Sequence, residues 1–217
     1  MTRLRRPSRP ALILLALFAL VSVLVAAGVT LPWDEAVLLA VGGWRRPALT
    51  DLMLAFTLAG GGDFEVPMAL GIALLLWRLG QRAEAKQYVL VGLSAELLYV
   101  VLKASFQRPR PSVIPRLADA GWYAYPSGHS MMGPVIWSLG FWLLAHAVPN
   151  RLARATLASI GILVPLGVAT SRVYLGVHYP SDVVGALFIG SAWVLWWGTP
   201  SSDDASIAST SSAPAIR

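Results

Sequence analysis

Residues 11–31 form an apolar run without a charged side chain. A helix of about 20 such residues is long enough to cross the hydrocarbon core of a bilayer. Four arginines precede the run within residues 1–10. A signal peptide is the alternative, but its apolar region is normally shorter than this run. We therefore predict a basic cytoplasmic N-terminus at residues 1–10, followed by an uncleaved first membrane span.

Five further apolar runs follow, separated by polar or basic segments. Only 13% of the residues are charged and 56% are hydrophobic, whereas about 25% are charged in an ordinary soluble domain. Helices satisfy their backbone hydrogen bonds internally, as the bilayer core requires. We therefore predict an all-α, polytopic membrane protein with six transmembrane helices in one domain, residues 11–198. The predicted spans are residues 11–31, 64–77, 88–102, 131–148, 155–170 and 183–197.

Two segments do not fit this pattern of spans. Residues 32–63 mix charged, proline and glycine positions with short apolar pieces. We expect interfacial helices at 34–42 and 48–59 and a glycine turn at 60–62. For Asp34 and Glu35 we favour solvated side chains over a lining of an entrance for lipid headgroups. Residues 199–217 are rich in Ser and Ala, which predicts a disordered C-terminal tail.

The distribution of basic residues predicts which side of the membrane each loop occupies. Lysine and arginine are enriched in cytoplasmic loops. With a cytoplasmic N-terminus, the basic segments 78–86 and 151–154 are cytoplasmic as well. The segment 103–116 then lies outside although it is also basic, which indicates that its charges serve a site. From the small size of the chain we expect the inner (plasma) membrane of a bacterium, with the site facing the extracytoplasmic side.

Counting spans brings two polar segments to the same membrane face. Two predicted spans separate Ser127 from Ser171, and an even number returns the chain to its starting side. Residues 103–129 and 171–182 should therefore meet outside the cytoplasm. Such a set of cations and imidazoles suits phosphoryl transfer, in which charged oxygens must be held and stabilised. The polar side chains brought together are Lys103, Arg108, Arg110, Ser127, His129, Arg172, His178 and Asp182.

Composition narrows the chemistry of this site. The chain has no cysteine, which excludes thiolate catalysis and cysteine-bound metals. Asp119 and Asp182 are the only carboxylates in the two segments, whereas a magnesium-dependent or two-metal site needs several oxygen ligands. We therefore predict a histidine nucleophile, with no metal and no other cofactor. The net charge of +6 does not indicate nucleic acid, because basic residues of membrane proteins gather near headgroups.

Three motifs in chain order resemble the signature of the type 2 phosphatidic acid phosphatase superfamily, which includes membrane lipid phosphatases and the soluble vanadium haloperoxidases. The resemblance implies a membrane lipid phosphatase that hydrolyses a lipid phosphomonoester or diphosphate. Undecaprenyl diphosphate, phosphatidate and phosphatidylglycerophosphate are the candidate substrates. The motifs are Lys103, six residues and then Arg110-Pro111; Pro126-Ser127-Gly128-His129; and Ser171-Arg172, five residues, His178, three residues and Asp182.

The resemblance also implies a role for each site residue. His178 would attack phosphorus and form a phosphohistidine, oriented and polarised by Asp182. His129 would protonate the leaving oxygen and later activate water. Arg108 lies inside the six-residue gap of the first motif, and we expect it to be an auxiliary contact. The expected phosphate ligands are Lys103, Arg110, Ser127, Gly128 and Arg172.

Several alternatives stay open at this point. The same phosphohistidine could pass its phosphoryl group to an acceptor other than water, as in a lipid phosphotransferase. A non-catalytic, anion-binding transporter is less favoured, because anion capture needs no second imidazole. Glu96 lies inside a predicted span, and we interpret it as a structural polar contact. The lipid attached to the phosphate and the oligomeric state do not follow from the sequence.

Overall fold

The computed structural model describes residues 7–198, and this part of the chain is helical without a strand. The first six residues of the basic N-terminus and the whole predicted tail, 199–217, lie outside the described residues. The helices are α1 (Arg9–Ala26), α2 (Leu31–Gly42), α3 (Pro47–Ala59), α4 (Gly62–Arg78), α5 (Arg82–Phe106), α6 (Gly128–Gly133), α7 (Gly140–Ala147), α8 (Arg151–Tyr174) and α9 (Pro180–Trp193). Two π-helical segments continue the chain at Pro134–Leu139, between α6 and α7, and at Val194–Gly198, after α9.

Proline and polar caps set several of the helix starts. Pro32, Pro47 and Pro180 lie in the first two positions of α2, α3 and α9, where a missing N–H costs no helical hydrogen bond. The side chain of Asn150 accepts a hydrogen bond from the backbone N–H of Ala153 at 2.9 Å and so caps α8. The short helices predicted in the segment 32–63 correspond to α2 and α3.

The prediction of an all-helical, multi-pass membrane protein is confirmed, but six spans are not. Within residues 7–198, the helices α1, α5 and α8 are long and apolar enough to cross a bilayer. The helices α3 and α4 form a fourth candidate if they are one span, bent by 52° at Gly60 and Gly61. The predicted spans 131–148 and 183–197 coincide with helices that are divided into α and π stretches. Neither is a single α-helix as long as α1, α5 or α8.

Glycine lets α6 and α9 approach each other closely. A Cβ atom at Gly190 would lie 2.3 Å from the backbone oxygen of Met131, and one at Gly185 would lie 2.5 Å from the hydroxyl oxygen of Tyr125. Small residues at such crossings allow backbones to come together in membrane proteins. Beside this crossing, Met131 packs with Ala186 and Ile189 in a buried cluster. The contact holds α6 against the second half of α9.

The long connection between α5 and α6, residues 107–127, lies against the turn between α8 and α9. The backbone N–H of Ser127 donates to the carbonyl oxygen of Asp182 at 3.2 Å, and that of Leu117 donates to the carbonyl oxygen of Leu175 at 2.9 Å. The two polar segments that span counting placed on one face are therefore in direct contact.

Candidate active site

His178 lies in the short turn between α8 and α9, and its side chain is 2% exposed. The turn forms because Gly176 adopts a φ of +73°, a left-handed conformation that glycine adopts without steric cost. The backbone N–H groups of Val177 and His178 both donate to the carbonyl oxygen of Arg172, each at 3.2 Å. The turn thereby anchors the imidazole next to the last turn of α8.

Asp182, in the first turn of α9, faces one edge of this imidazole. Its Oδ2 lies 3.4 Å from His178 Nδ1 and accepts a hydrogen bond from the backbone N–H of Tyr179 at 2.9 Å. A carboxylate at Nδ1 favours the tautomer in which Nδ1 carries the proton. The other nitrogen, Nε2, then keeps its lone pair and lies 3.1 Å from Nη1 of Arg110.

The charge state of His178 follows from its surroundings. Burial lowers the pKa of His178 well below the ordinary value of 6.5, and the charges of Arg110, Arg172 and Lys103 lower it further. The imidazole is therefore neutral near pH 7, the form that can act as a nucleophile.

Three cations act electrostatically on His178, and we name Lys103, Arg110 and Arg172 the cation cluster. Of the three, Arg110 contacts Nε2. Lys103 is 2% and Arg172 3% exposed. Among the described residues, none of the three forms a salt bridge with a carboxylate. Buried cations are normally paired, so this cluster is suited to an incoming anion.

The members of the cation cluster are held by neutral partners. Arg172 donates from Nη1 to the hydroxyl of Thr57 on α3, and its buried Nε has no hydrogen-bond partner. The Nζ of Lys103 lies 4.9 Å from the ring centroid of Tyr99, a cation–π contact. These contacts orient the cations without cancelling their charge.

Arg110 connects the loop 107–127 to the histidine turn. Its guanidinium donates to the carbonyl oxygens of Gly121 at 2.6 Å, Trp122 at 3.1 Å and Val177 at 2.7 Å. These bonds fix Nη1 against His178. Arg110 thus places its own charge beside His178 and holds the loop 107–127 against the histidine turn.

Ser127, Gly128 and His129 begin α6 beside the cation cluster. Ser127 is buried, and its hydroxyl accepts a hydrogen bond from Ser130 Oγ at 3.0 Å. A Cβ atom at Gly128 would lie 2.8 Å from the ring of Tyr99, so a side chain there would displace Tyr99. His129 is half-buried and within electrostatic range of His178 and Arg172. The two imidazoles therefore share one site.

Arg108 belongs to a different group, which we name the carboxylate cluster. Its guanidinium forms salt bridges with Asp34 at 2.8 Å and with Asp182 at 2.5 Å, and it donates to Ser181 Oγ at 2.8 Å. The carboxylate cluster consists of Asp34, Arg108, Ser181 and Asp182. Arg108 thus contacts carboxylates, whereas Arg110 and the other cations do not.

The expectation that Asp34 is solvated was wrong, because its side chain is fully buried. Arg108 and Ser181 supply the polar partners that make burial of this carboxylate possible. Thr57, which holds Arg172, was also missed, as was Gly60, where a Cβ atom would lie 3.1 Å from His129. All three lie in the segment 32–63, which carries no family motif. Of the three, only Asp34 had a feature in the sequence that could have drawn attention to it, namely a carboxylate in the first turn of an apolar helix.

Glu96 acts electrostatically on Lys103, but among the described residues it forms no salt bridge with the cation cluster or the carboxylate cluster. It lines an apolar cavity of about 370 Å³ between α4, α5 and α6, together with Glu65. Glu65 is 7% exposed, and its Oε1 has no hydrogen-bond partner. The interpretation of Glu96 as a structural polar contact stays a prediction. Among residues 7–198, no group of three or more His, Asp or Glu side chains is placed to hold a metal ion.

The geometry agrees with a family assignment from sequence. A family model described as the PAP2 superfamily matches residues 84–201. This range contains the two site histidines, His129 and His178, together with Asp182 and the cation cluster. This chain belongs to the PAP2 superfamily. Asp34 and Thr57 lie outside the matched residues.

Two curated PAP2 relatives are lipid phosphatases by name. The chain is 30% identical over 159 residues to phosphatidylglycerophosphatase B of Bacillus subtilis, covering 72% of this chain and 77% of that protein. It is 34% identical over 90 residues to an undecaprenyl-diphosphatase of Sulfolobus acidocaldarius, covering 42% of this chain and 37% of that protein.

A solved structure supports the fold. The crystal structure of a transmembrane PAP2-type phosphatidylglycerolphosphate phosphatase from Bacillus subtilis superimposes with a TM-score of 0.80 at 26% identity, covering 86% of this chain and 92% of that one. The described helices therefore have the arrangement of a membrane PAP2 protein.

Proposed function

We propose that this protein is an integral membrane lipid phosphatase that hydrolyses a phosphomonoester or diphosphate of a membrane lipid. The observation that carries the proposal is the position of His178 between two oppositely charged groups. Asp182 lies at Nδ1, and Arg110, from the uncompensated cation cluster, lies at Nε2. An anionic phosphoryl group attracted by the cations would meet the lone pair of a neutral imidazole.

The first chemical step uses both histidines. As a phosphoryl oxygen replaces Nε2 of His178 as the partner of Nη1 of Arg110, the Nε2 lone pair is freed. Nε2 then attacks phosphorus in line with the leaving oxygen, so that an N–P bond forms as the P–O bond breaks. The negative charge of the bound phosphate offsets the neighbouring cations and holds His129 in its protonated form. His129 then donates this proton to the oxygen that leaves with the lipid. The proton on His178 Nδ1 stays hydrogen-bonded to Asp182, which stabilises the positive charge of the phosphorylated ring.

The second step releases phosphate. His129 is now neutral and takes a proton from a water molecule, whose oxygen attacks phosphorus as the N–P bond breaks. The expected ligands of the phosphoryl oxygens are the cation cluster, the Ser127 hydroxyl and the backbone N–H of Gly128. The two steps consume one water and regenerate both imidazoles.

No step requires a metal ion. This part of the proposal is supported by the donor set, because Asp182 is committed to Arg108 and His178 and the described residues hold no group of three potential ligands. Full phosphate release after extensive treatment with EDTA is the expected result. Recovery of a lost activity by added Mg²⁺ would contradict it.

We also propose six spans, a location in the bacterial inner membrane and a site facing the extracytoplasmic side. The natural chain has no cysteine, so single cysteines report on sidedness without background. Ser112→Cys, in the exposed part of the loop 107–127, should react with an impermeant maleimide from outside the cell. Arg151→Cys, at the start of α8, should react only after the membrane is permeabilised. The opposite pattern would place the site in the cytoplasm.

A panel of substrates tests the activity. Phosphatidylglycerophosphate is the first choice, because the Bacillus subtilis relative named for it is matched over most of its length. Undecaprenyl diphosphate and phosphatidate complete the panel. Purified protein in detergent or bilayers should release inorganic phosphate from at least one of them, and His178→Ala should release none while still inserting. Equal release by the variant, or none by the natural protein, would overturn the proposal.

A further inference from the structure

Asp34 is a buried carboxylate on α2 that reaches Asp182 through one guanidinium. Its Oδ2 lies 2.8 Å from Nη2 of Arg108, while Nη1 of the same side chain lies 2.5 Å from Oδ1 of Asp182. Both carboxylates are fully buried. Arg108 is therefore fixed at both of its terminal nitrogens by carboxylates from two different helices.

Ser181 makes a second connection between α2 and α9. Its backbone N–H donates to Asp34 Oδ1 at 2.9 Å, and its hydroxyl donates to Asp34 Oδ2 at 2.6 Å. The same hydroxyl accepts a hydrogen bond from Arg108 Nη1 at 2.8 Å. Asp34 thus binds a free N–H at the start of α9 and fixes the residue that precedes Asp182.

We propose that Asp34 is a positioning residue for the candidate catalytic pair His178 and Asp182. This inference rests on the proposed function and deepens it. Because Arg108 occupies Oδ1 of Asp182, the other oxygen, Oδ2, is directed to His178 Nδ1. Asp34 acts through Arg108 and Ser181. Within residues 7–198 its side chain bonds to neither imidazole and to no member of the cation cluster.

Charge gives Asp34 a second effect on the same pair. Two carboxylates share one guanidinium in the carboxylate cluster, so Arg108 does not cancel the charge of Asp182 by itself. The remaining negative charge favours a positively charged ring at His178, as the phosphorylated intermediate requires. With an uncharged residue at position 34, Arg108 would pair with Asp182 alone and weaken that stabilisation.

The test compares Asp34→Asn with a matched control on the same helix, Glu35→Gln. Glu35 is half-buried, and its side chain forms no ion pair with another residue of the described part of the chain. With the best lipid of the panel, we expect Asp34→Asn to lower kcat by about 10- to 100-fold, the scale of a small misplacement of a catalytic group. The inhibition constant of inorganic phosphate should stay unchanged, because the cation cluster is intact. Glu35→Gln should match the natural protein in both.

A spectroscopic measurement separates positioning from simple loss of structure. The chain has three histidines, so ¹⁵N spectra of the imidazoles are resolvable, and the spectrum of His178→Gln assigns the signal of interest. In the natural protein, His178 should carry its proton on Nδ1. In Asp34→Asn, a mixture with the Nε2-protonated tautomer is expected. This readout needs no substrate, so it tests Asp34 even if no lipid in the panel is hydrolysed.

Two results would overturn the inference. One is a folded Asp34→Asn protein with natural kcat and an unchanged His178 signal. The other is a parallel loss of kcat and of phosphate inhibition, which would indicate collapse of the whole site. If Asp34→Asn does not fold, Ser181→Ala carries the same test, since it removes one hydroxyl that bonds to both Asp34 and Arg108. It should lower kcat by about 3- to 10-fold, the scale of one hydrogen bond, and no change in kcat would again contradict the proposal.

Discussion

Arg108 and Arg110 stand two residues apart in the same loop, yet they lie in opposite electrostatic surroundings. Arg108 is paired with two buried carboxylates in the carboxylate cluster. Arg110 donates to three backbone carbonyls and to His178, and it faces the other members of the cation cluster. One arginine is neutralised and the other keeps its charge for a ligand.

The difference between the two arginines explains how the two nitrogens of His178 acquire different roles: Nδ1 holds a proton and Nε2 presents its lone pair to an anion. The Nδ1 edge of His178 faces Asp182 of the carboxylate cluster, while its Nε2 edge contacts Arg110 of the cation cluster. Negative charge on one side holds the proton, and positive charge on the other attracts an anion to the lone pair. We expect the carboxylate cluster to govern stability and orientation, and the cation cluster to govern anion binding.

The largest effect on stability should come from breaking the carboxylate cluster with Arg108→Met. Asp34 and Asp182 would then be buried without their cation, and breaking such a buried pair costs about 3–5 kcal/mol. The measurement is thermal and denaturant unfolding in detergent. Arg116→Met is the matched control, because Arg116 is exposed and bonds to a single carbonyl, that of Pro111. Equal stability of the two variants would contradict the claim that the carboxylate cluster governs stability.

The corresponding change in the cation cluster, Arg110→Ala, should act on the substrate instead. Removal of one donor to a developing phosphoryl charge lowers turnover by about 100- to 1,000-fold. We expect kcat/KM to fall by that amount and the inhibition constant of inorganic phosphate to rise. In unfolding measurements, Arg110→Ala should lose less stability than Arg108→Met. An unchanged inhibition constant would remove Arg110 from the anion site.

The smallest predicted effect concerns pH: the protonation state of His178 should not change between pH 8 and 6.5. Because burial and the cation cluster depress the pKa of His178, its protonated form appears only below the ordinary midpoint of 6.5. The His178 ¹⁵N signal, measured without phosphate, should therefore stay that of a neutral ring as the pH falls from 8 to 6.5. In Arg110→Ala the midpoint should move upward, towards 6.5. A natural midpoint at or above 6.5 would contradict the electrostatic account.

The sequence predicts which two motif-bearing segments come together, whereas the roles of their residues stay predictions. Two apolar runs were predicted as spans between Ser127 and Ser171, and their even number predicts that residues 103–129 and 171–182 meet. Their meeting is visible in the hydrogen bond between Ser127 and Asp182. Residue types then identify the cations and imidazoles, because few polar side chains occur in an otherwise apolar chain.

The partners from α2 and α3 could not be predicted in the same way. Asp34 and Thr57 carry no motif, and their contacts with Arg108 and Arg172 join residues 74 and 115 positions apart. Such contacts depend on how α2 and α3 pack against α8 and α9, which no local pattern encodes. The number of spans could not be predicted reliably for a similar reason. Hydropathy shows an apolar run at 131–148, but it does not show the π-helical segment Pro134–Leu139 that divides this run.

The central claim is that His178 becomes covalently phosphorylated through Nε2. The direct measurement is rapid acid-free quenching of the protein with a lipid substrate labelled in its terminal phosphate, followed by mass spectrometry of the peptides. The predicted result is a phosphorylated His178 that is absent from His178→Ala. In His129→Ala the phosphohistidine should form more slowly and also be hydrolysed more slowly, because this variant lacks the acid of the first step and the base of the second. Label on another residue, or turnover of the lipid without any labelled histidine, would contradict the account.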